Sequence, residues 1–313
     1  MGTNSSSERS HRLNQLNDFL FLKTMGEKGD EEQLLGFLNA VLGKNGEDRY
    51  SSVTILENRV LTADVVGDKT SILDVRAVLQ GGSKINVEVQ IRNRRNMEKR
   101  SLFYWSRELN KSLKGGQNYQ KIPNIITINI INFSFLPNKD FHTCFHLRED
   151  KDKTILTDAL EMHFVDMVKW RKVRDKDIVN NPLHRWLTWL NPKSRPEQVE
   201  EVMKMDGAIQ KAKEKQEVVL SDEETERLYF LRQLAYWDNV NANDYAREEA
   251  EKARKKGLEK GLKQGLEQGL EQGLEQGLIK GRETVARNAL AEGATLEFVE
   301  KITGLSRDAI EKL

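Results

Sequence analysis

The chain has 313 residues, 38% of them apolar and 32% charged, which is enough to bury a core in one large domain or two modest ones. Its 50 Lys and Arg against 49 Asp and Glu leave a formal net charge of +1, so overall charge gives no argument for a nucleic-acid partner and any basic surface must be local. A single cysteine, Cys144, excludes an intrachain disulfide framework and fits a reducing cytosol.

Residues 1–16 are polar and Ser-rich, lack the apolar stretch of a secretory signal, and are expected to be disordered. No window approaches the ~18 uncharged apolar residues of a membrane span, so a cytoplasmic protein with no membrane partner is expected. Residues 30–42 read as a helix, with Leu34, Leu35, Leu38, Val41 and Leu42 at helical spacing and Gly43 as a stop. Strands are expected over 53–62, 70–79 and 84–92, with the turn signal Gly81-Gly82 between the last two. A helix over 97–113, closed by Gly115-Gly116, leads to an Ile-rich buried strand at 124–135.

Residues 141–147 and 162–168 are expected to extend the sheet. Within them His142, Cys144 and His146 alternate on one strand face. Structural zinc takes four ligands from spaced pairs, and no partner pair is evident, so these three read as packed strand residues. Residues 182–190, 196–217 and 221–237 read as helices, with Trp186, Trp189, Tyr229 and Trp237 as core aromatics.

The strongest chemical signal lies in the 70–79 and 84–92 pair. Side chains alternate along a strand, so Leu73, Val75, Ala77 and Leu79 share one face, and Asp74 and Arg76 point the other way. On the next strand Ile85, Val87, Val89 and Ile91 oppose Asn86, Glu88, Gln90 and Arg92. A two-residue turn at Gly81-Gly82 would pair Asp74 with Val89 and mismatch the apolar faces. An odd loop, such as three residues, pairs Asp74 with Glu88 or Gln90 and brings two carboxylates within reach of one metal ion. Such carboxylates repel unless a cation sits between them, and hard ions such as Mg²⁺ favour oxygen ligands. Gln90 is uncharged; it can orient water or a phosphate oxygen but cannot serve as a general base. The alternative is an ordinary sheet with a solvated polar face.

From Gly257 the chain repeats every four residues, GLEK-GLKQ-GLEQ-GLEQ-GLEQ-GLIK-GR. Each interior Gly weakens a helix by about 1 kcal/mol relative to Ala. Two readings stay open: a glycine-lined helix that self-associates into a homo-oligomer, or a charged connector. Residues 282–313 read as short helices, and FVEKITGLSRDAIEKL resembles part of a helix-turn-helix.

Several segments together resemble the Rpn family of recombination-promoting nucleases and transposases, within the PD-(D/E)XK nuclease superfamily. They are NDFLFLK at 17–23, LGFLNAVL at 35–42, GDKTSILDV at 67–75, NVEVQ at 86–90, the stretch 100–109 with Tyr104, and GQNY at 116–119 followed by the Ile-rich strand. The resemblance implies an α/β, restriction-endonuclease-like core, a mixed sheet flanked by helices, with an α-helical C-terminal region. The expected organisation is a nuclease-like core at 17–170, a helical extension at 171–243, the repeat as helix or linker at 244–281, and a small helical module at 282–313. Asp74 and Glu88 take the metal-binding acid positions, Gln90 replaces the superfamily's usual lysine as is typical of this family, and Asp18 matches an early acid. The implied activity is Mg²⁺-dependent cleavage of DNA, linked to recombination or mobile elements. Because the lysine is missing, a catalytically weak or inactive DNA-binding protein that keeps the fold is the rival. Arg92, Arg94, Arg95, Lys99 and Arg100 follow the acids closely and, with Tyr104, form the expected DNA-binding surface; phosphate contacts of this kind supply affinity.

Overall fold

Six strands make one mixed sheet in the computed structural model, which describes residues 13–56, 74–93, 95–112 and 118–313. In chain order they are β1 (Val53–Ile55), β2 (Asp74–Leu79), β3 (Lys84–Gln90), β4 (Ile125–Ile131), β5 (His142–Phe145) and β6 (Leu160–Asp166). Their order across the sheet is β1-β2-β3-β4-β6-β5. The first three pair antiparallel, whereas β3 with β4 and β4 with β6 run parallel, and β5 returns antiparallel along the edge. A parallel neighbour needs a crossover, and helix α3 (Met97–Ser112) supplies it between β3 and β4.

Alternation along the strands gives the sheet two differently covered faces. Val75, Ala77, Val87, Val89, Ile126, Ile128 and Ile130 belong to the main core with Phe19, Phe37 and Trp186, from α1 (Asp18–Met25), α2 (Glu31–Val41) and α5 (Pro182–Leu190). On the other face Met97 packs with Ile131, Met162 and Phe164, and Trp105 lies against them. Short helix α4 (Met167–Lys172) follows β6 directly and buries Trp170 completely.

Two expectations for the helical region are corrected. The segment expected as one helix over 196–217 is α6 (Pro196–Met205) and α7 (Gly207–Ser221), divided at Asp206. Asp206 adopts an extended backbone, and its carboxylate accepts from the Ala208 amide, which starts a new helix instead of continuing the old one. Trp186, Trp189 and Tyr229 are buried, but Trp237 is 51% exposed and is no core residue. Leu16, expected in a disordered tail, is 1% exposed and belongs to the main core. The turn at Gly115-Gly116 and residues 57–73 lie outside the described residues.

Contacts divide the chain into Met1–Asn239 and Val240–Leu313. Helix α8 runs Glu223–Ala291, so the repeat is helical, and its leucines from Leu258 to Leu278 are 59–76% exposed. The second unit ends in α9 (Leu296–Thr303) and α10 (Arg307–Ile310), where Ala286, Val299 and Ile310 form a small core. Gly304 caps α9 with a φ of 68°, a conformation that glycine adopts without strain. Among the described residues no helix is long and apolar enough to cross a membrane.

Candidate active site

The β2–β3 hairpin sets the site. Its loop is Gln80-Gly81-Gly82, three residues between Leu79 and Ser83, with the Gly82 amide donating to the Leu79 carbonyl at 2.9 Å. Gly81 and Gly82 have φ of 89° and 90°, so this loop requires glycine at both positions. Its odd length puts Asp74 opposite Glu88, Val75 opposite Val87 and Arg76 opposite Asn86, and the apolar and polar faces agree.

Glu88 is the central group. It is 2% exposed, and its carboxylate is held by the Arg100 guanidinium of α3 at 2.8 Å and by the Gln90 side-chain amide, which donates to the same Oε1. Burial pushes the Glu88 carboxyl up to about 7; Arg100 opposes this, and the charges of Asp74 and Asp18 add to it. Asp74, the first residue of β2, is also raised by burial, with Arg76 opposing. Two acids opposed in register, both reluctant to ionise, are electrostatically frustrated until a cation joins them. Hard oxygen donors of this kind fit a divalent ion such as Mg²⁺ or Mn²⁺.

Asp18 opens α1 and is 9% exposed. Its two carboxylate oxygens accept from Nε and Nη2 of Arg232 at 2.8 and 2.5 Å, a bidentate pair across 214 residues. Asn17 beside it accepts from the Leu20 amide and donates to Gln233 at 3.1 Å. The start of α8 therefore holds the N-terminal acid in place. Among the described residues Asp18, Asp74 and Glu88 do not close as a trio to within 4.8 Å of one another, so the register pair is the candidate site and Asp18 stands at its margin.

The basic residues divide into separate roles. Arg100 points inward to Glu88, and Arg92 donates to the Ala235 carbonyl of α8 at 2.6 Å. Arg95 and Lys99 are exposed. Arg95 has a φ of 55°, and its amide donates to the Asn93 side chain at 2.8 Å, which holds this sparsely populated conformation between β3 and α3. Tyr104 is half-buried, with the guanidinium carbons of Arg100 and Arg107 at 5.5 and 6.0 Å from its ring centre. Arg94 lies outside the described residues.

Sequence reasoning missed two contributors. Asn129, 3% exposed, is the β4 partner of Glu88 and receives the Ser101 hydroxyl at 3.4 Å. Its signal was present: Thr127 and Asn129 are the polar residues at period two in IITINII. Arg232 had no local signal, because its role comes from a contact far along the chain.

Comparison with curated proteins and with solved structures finds no match to the chain. The profile of the PD-(D/E)XK nuclease family transposases matches residues 15–246, which takes in the sheet, the acids and the helices that hold them. Nucleases of this kind generally use divalent metals and act on DNA. The chain belongs to the PD-(D/E)XK nuclease family transposases.

Proposed function

We propose that this chain is a Mg²⁺-dependent DNA endonuclease that serves recombination or mobile-element movement. The observation that carries the reading is the register pairing of Asp74 with a fully buried Glu88 on the polar face of the hairpin. Asp74 and Glu88 would hold the ion, which when bound would stabilise charge developing on a phosphodiester and lower the pKa of a bound water. Gln90 would orient a water or a phosphate oxygen through its amide. Arg100 offsets the Glu88 charge, and Arg95 and Lys99 would take the DNA backbone, with Tyr104 beside the Arg100 and Arg107 guanidinium groups. Asp18 would add negative charge at the margin, positioned by Arg232.

One observation favours a second reading. Gln90 stands at the superfamily's lysine position and is tied to Glu88 together with Arg100. A protein so arranged could bind DNA without cutting it. Supercoiled plasmid incubated with purified protein, with and without Mg²⁺, separates the two. Nicked or linear product only with Mg²⁺, and not from Glu88→Ala, supports the nuclease. Retarded but uncut plasmid supports the binding protein.

A further inference from the structure

The β5–β6 edge carries a second cluster of metal-ligating side chains, on the face of the sheet opposite the acids. Cys144 and His163 are register partners, and His142 is opposite Val165. Continuing that register brings His146, just past the end of β5, opposite Glu161. Two residues spaced by two on β5 thus face two spaced by two on β6. His142, Cys144 and His146 therefore do have a partner pair, supplied by a strand that follows 15 or more residues later. Cys144 is exposed rather than packed.

The donor atoms converge. Cys144 Sγ is 3.6 Å from His163 Nε2 and 3.7 Å from His146 Nδ1. Glu161 Oε1 is 2.7 Å from His163 Nε2, and its Oε2 is 4.0 Å from His146 Nε2. A tetrahedral zinc with bonds of about 2.3 Å to sulfur and about 2.0 Å to nitrogen separates those donors by roughly 3.5 Å. The sulfur–nitrogen distances are close to that edge; to close the set the Glu161–His163 hydrogen bond must open and the His146 ring must turn to present one nitrogen to sulfur and carboxylate together. His142 Nε2 lies 2.9 Å from His163 Nδ1, so His142 can accept the Nδ1 proton and leave Nε2 free for a metal. Among the described residues the one group of three or more such side chains with ligand atoms within 4.8 Å of one another is Cys144, His146 and Glu161; His163 adjoins Cys144 and Glu161 but stands outside that group, so side chains must turn for all four to share one ion.

We propose that Cys144, His146, His163 and Glu161 bind one zinc ion that clasps the edge strand β5 to β6, with His142 as the orienting partner of His163. Four protein donors leave no open position, so the ion is structural, and its softer donor set separates it from the hard-ion site at Asp74 and Glu88. Staking an edge strand in this way also limits its pairing with other chains.

The test uses purified full-length protein, stripped of metal by chelation and dialysis, then titrated with zinc against a chromogenic chelator. One zinc per chain is expected, retained by Glu88→Ala and lost in Cys144→Ser and His163→Ala. His142→Ala should weaken binding by about 10–100-fold, the usual effect of removing an orienting partner. Cobalt in place of zinc should give a thiolate-to-metal charge-transfer band and intense tetrahedral ligand-field bands. Clear substoichiometric binding, or a cobalt spectrum unchanged by Cys144→Ser, overturns the proposal. Circular dichroism checks folding of the variants. Should Cys144→Ser fail to fold, the wild-type cobalt spectrum decides alone, and absence of the thiolate band overturns the site.

Discussion

Glu88→Gln should make the protein more stable as pH rises while destroying cleavage. Burial moves the Glu88 carboxyl from 4.5 to about 7, and at about 1.4 kcal/mol per pH unit that interval corresponds to roughly 3 kcal/mol. The sign follows from proton binding. Between these values the folded state holds a proton that the unfolded state has released, so stability falls as pH rises and is flat above about 7. Glutamine keeps the shape and the acceptor toward Arg100 but never ionises. Loss of Arg100's anionic partner adds a constant term, and the pH-dependent part isolates Glu88. Wild type minus variant stability should therefore change by roughly 3 kcal/mol between pH 4.5 and 8, with the variant gaining. For a folded unit of this size that is about 6–12 °C in Tm. Thermal or urea unfolding of both proteins across this range, with divalent ions chelated, measures it. Adding Mg²⁺ at pH 8 should raise the wild-type Tm more than the variant's, since only the former offers both carboxylates. A difference that stays constant with pH, or a variant less stable at pH 8 than at 4.5 relative to wild type, would refute the idea that Glu88 is held against its electrostatic preference.

Arg232→Ala leaves Asp18 buried beside the site without its bidentate partner, and should cost about 2–4 kcal/mol in unfolding experiments, somewhat less than for a fully enclosed pair; an unchanged midpoint would show that the pair holds nothing. Reversing charge at Arg95 and Lys99 should weaken DNA binding regardless of sequence and reduce the log–log salt slope by about 2, at roughly 0.9 per phosphate contact. A salt titration with an unaltered slope would put the DNA elsewhere. Deleting residues 257–280 should leave the first unit folded by circular dichroism, because its core lies within Met1–Asn239. Sedimentation of deleted and full-length protein then tests whether the exposed leucine row associates with a second copy; equal masses per chain would remove that role.

In the proposed nuclease the frustrated acid pair trades stability for activity. A carboxylate buried at 2% exposure with a second one opposite it weakens the fold, and only a bound cation turns both charges to advantage. Arg100 moderates the penalty for Glu88 by ion pairing and, by the same contact, competes with a metal for Oε1.

Much of the nuclease core was legible because it rests on local rules. Alternation in LDVRAVL and INVEVQ separated the acids from the apolar face, and matching the faces demanded the odd loop that Gln80-Gly81-Gly82 forms. Gly43, Gly293 and Gly304, all at positive φ, lie just past helices whose ends their residue type marks. Tertiary structure alone decided what depends on sheet order and distant packing. The β4-β6-β5 order sets His163 and Glu161 beside Cys144 and His146, where no strand periodicity could reveal the partnership. Helix α3 turns Arg100 inward to Glu88 while Lys99, one residue earlier and rotated about the axis, faces solvent. Arg232 reaches Asp18 across 214 residues because the start of α8 packs beside α1, and Trp237, two residues past the buried Ala235, is exposed. Backbone geometry dictates which side of its own strand or helix a residue occupies; which neighbour meets that side is settled only when the elements pack.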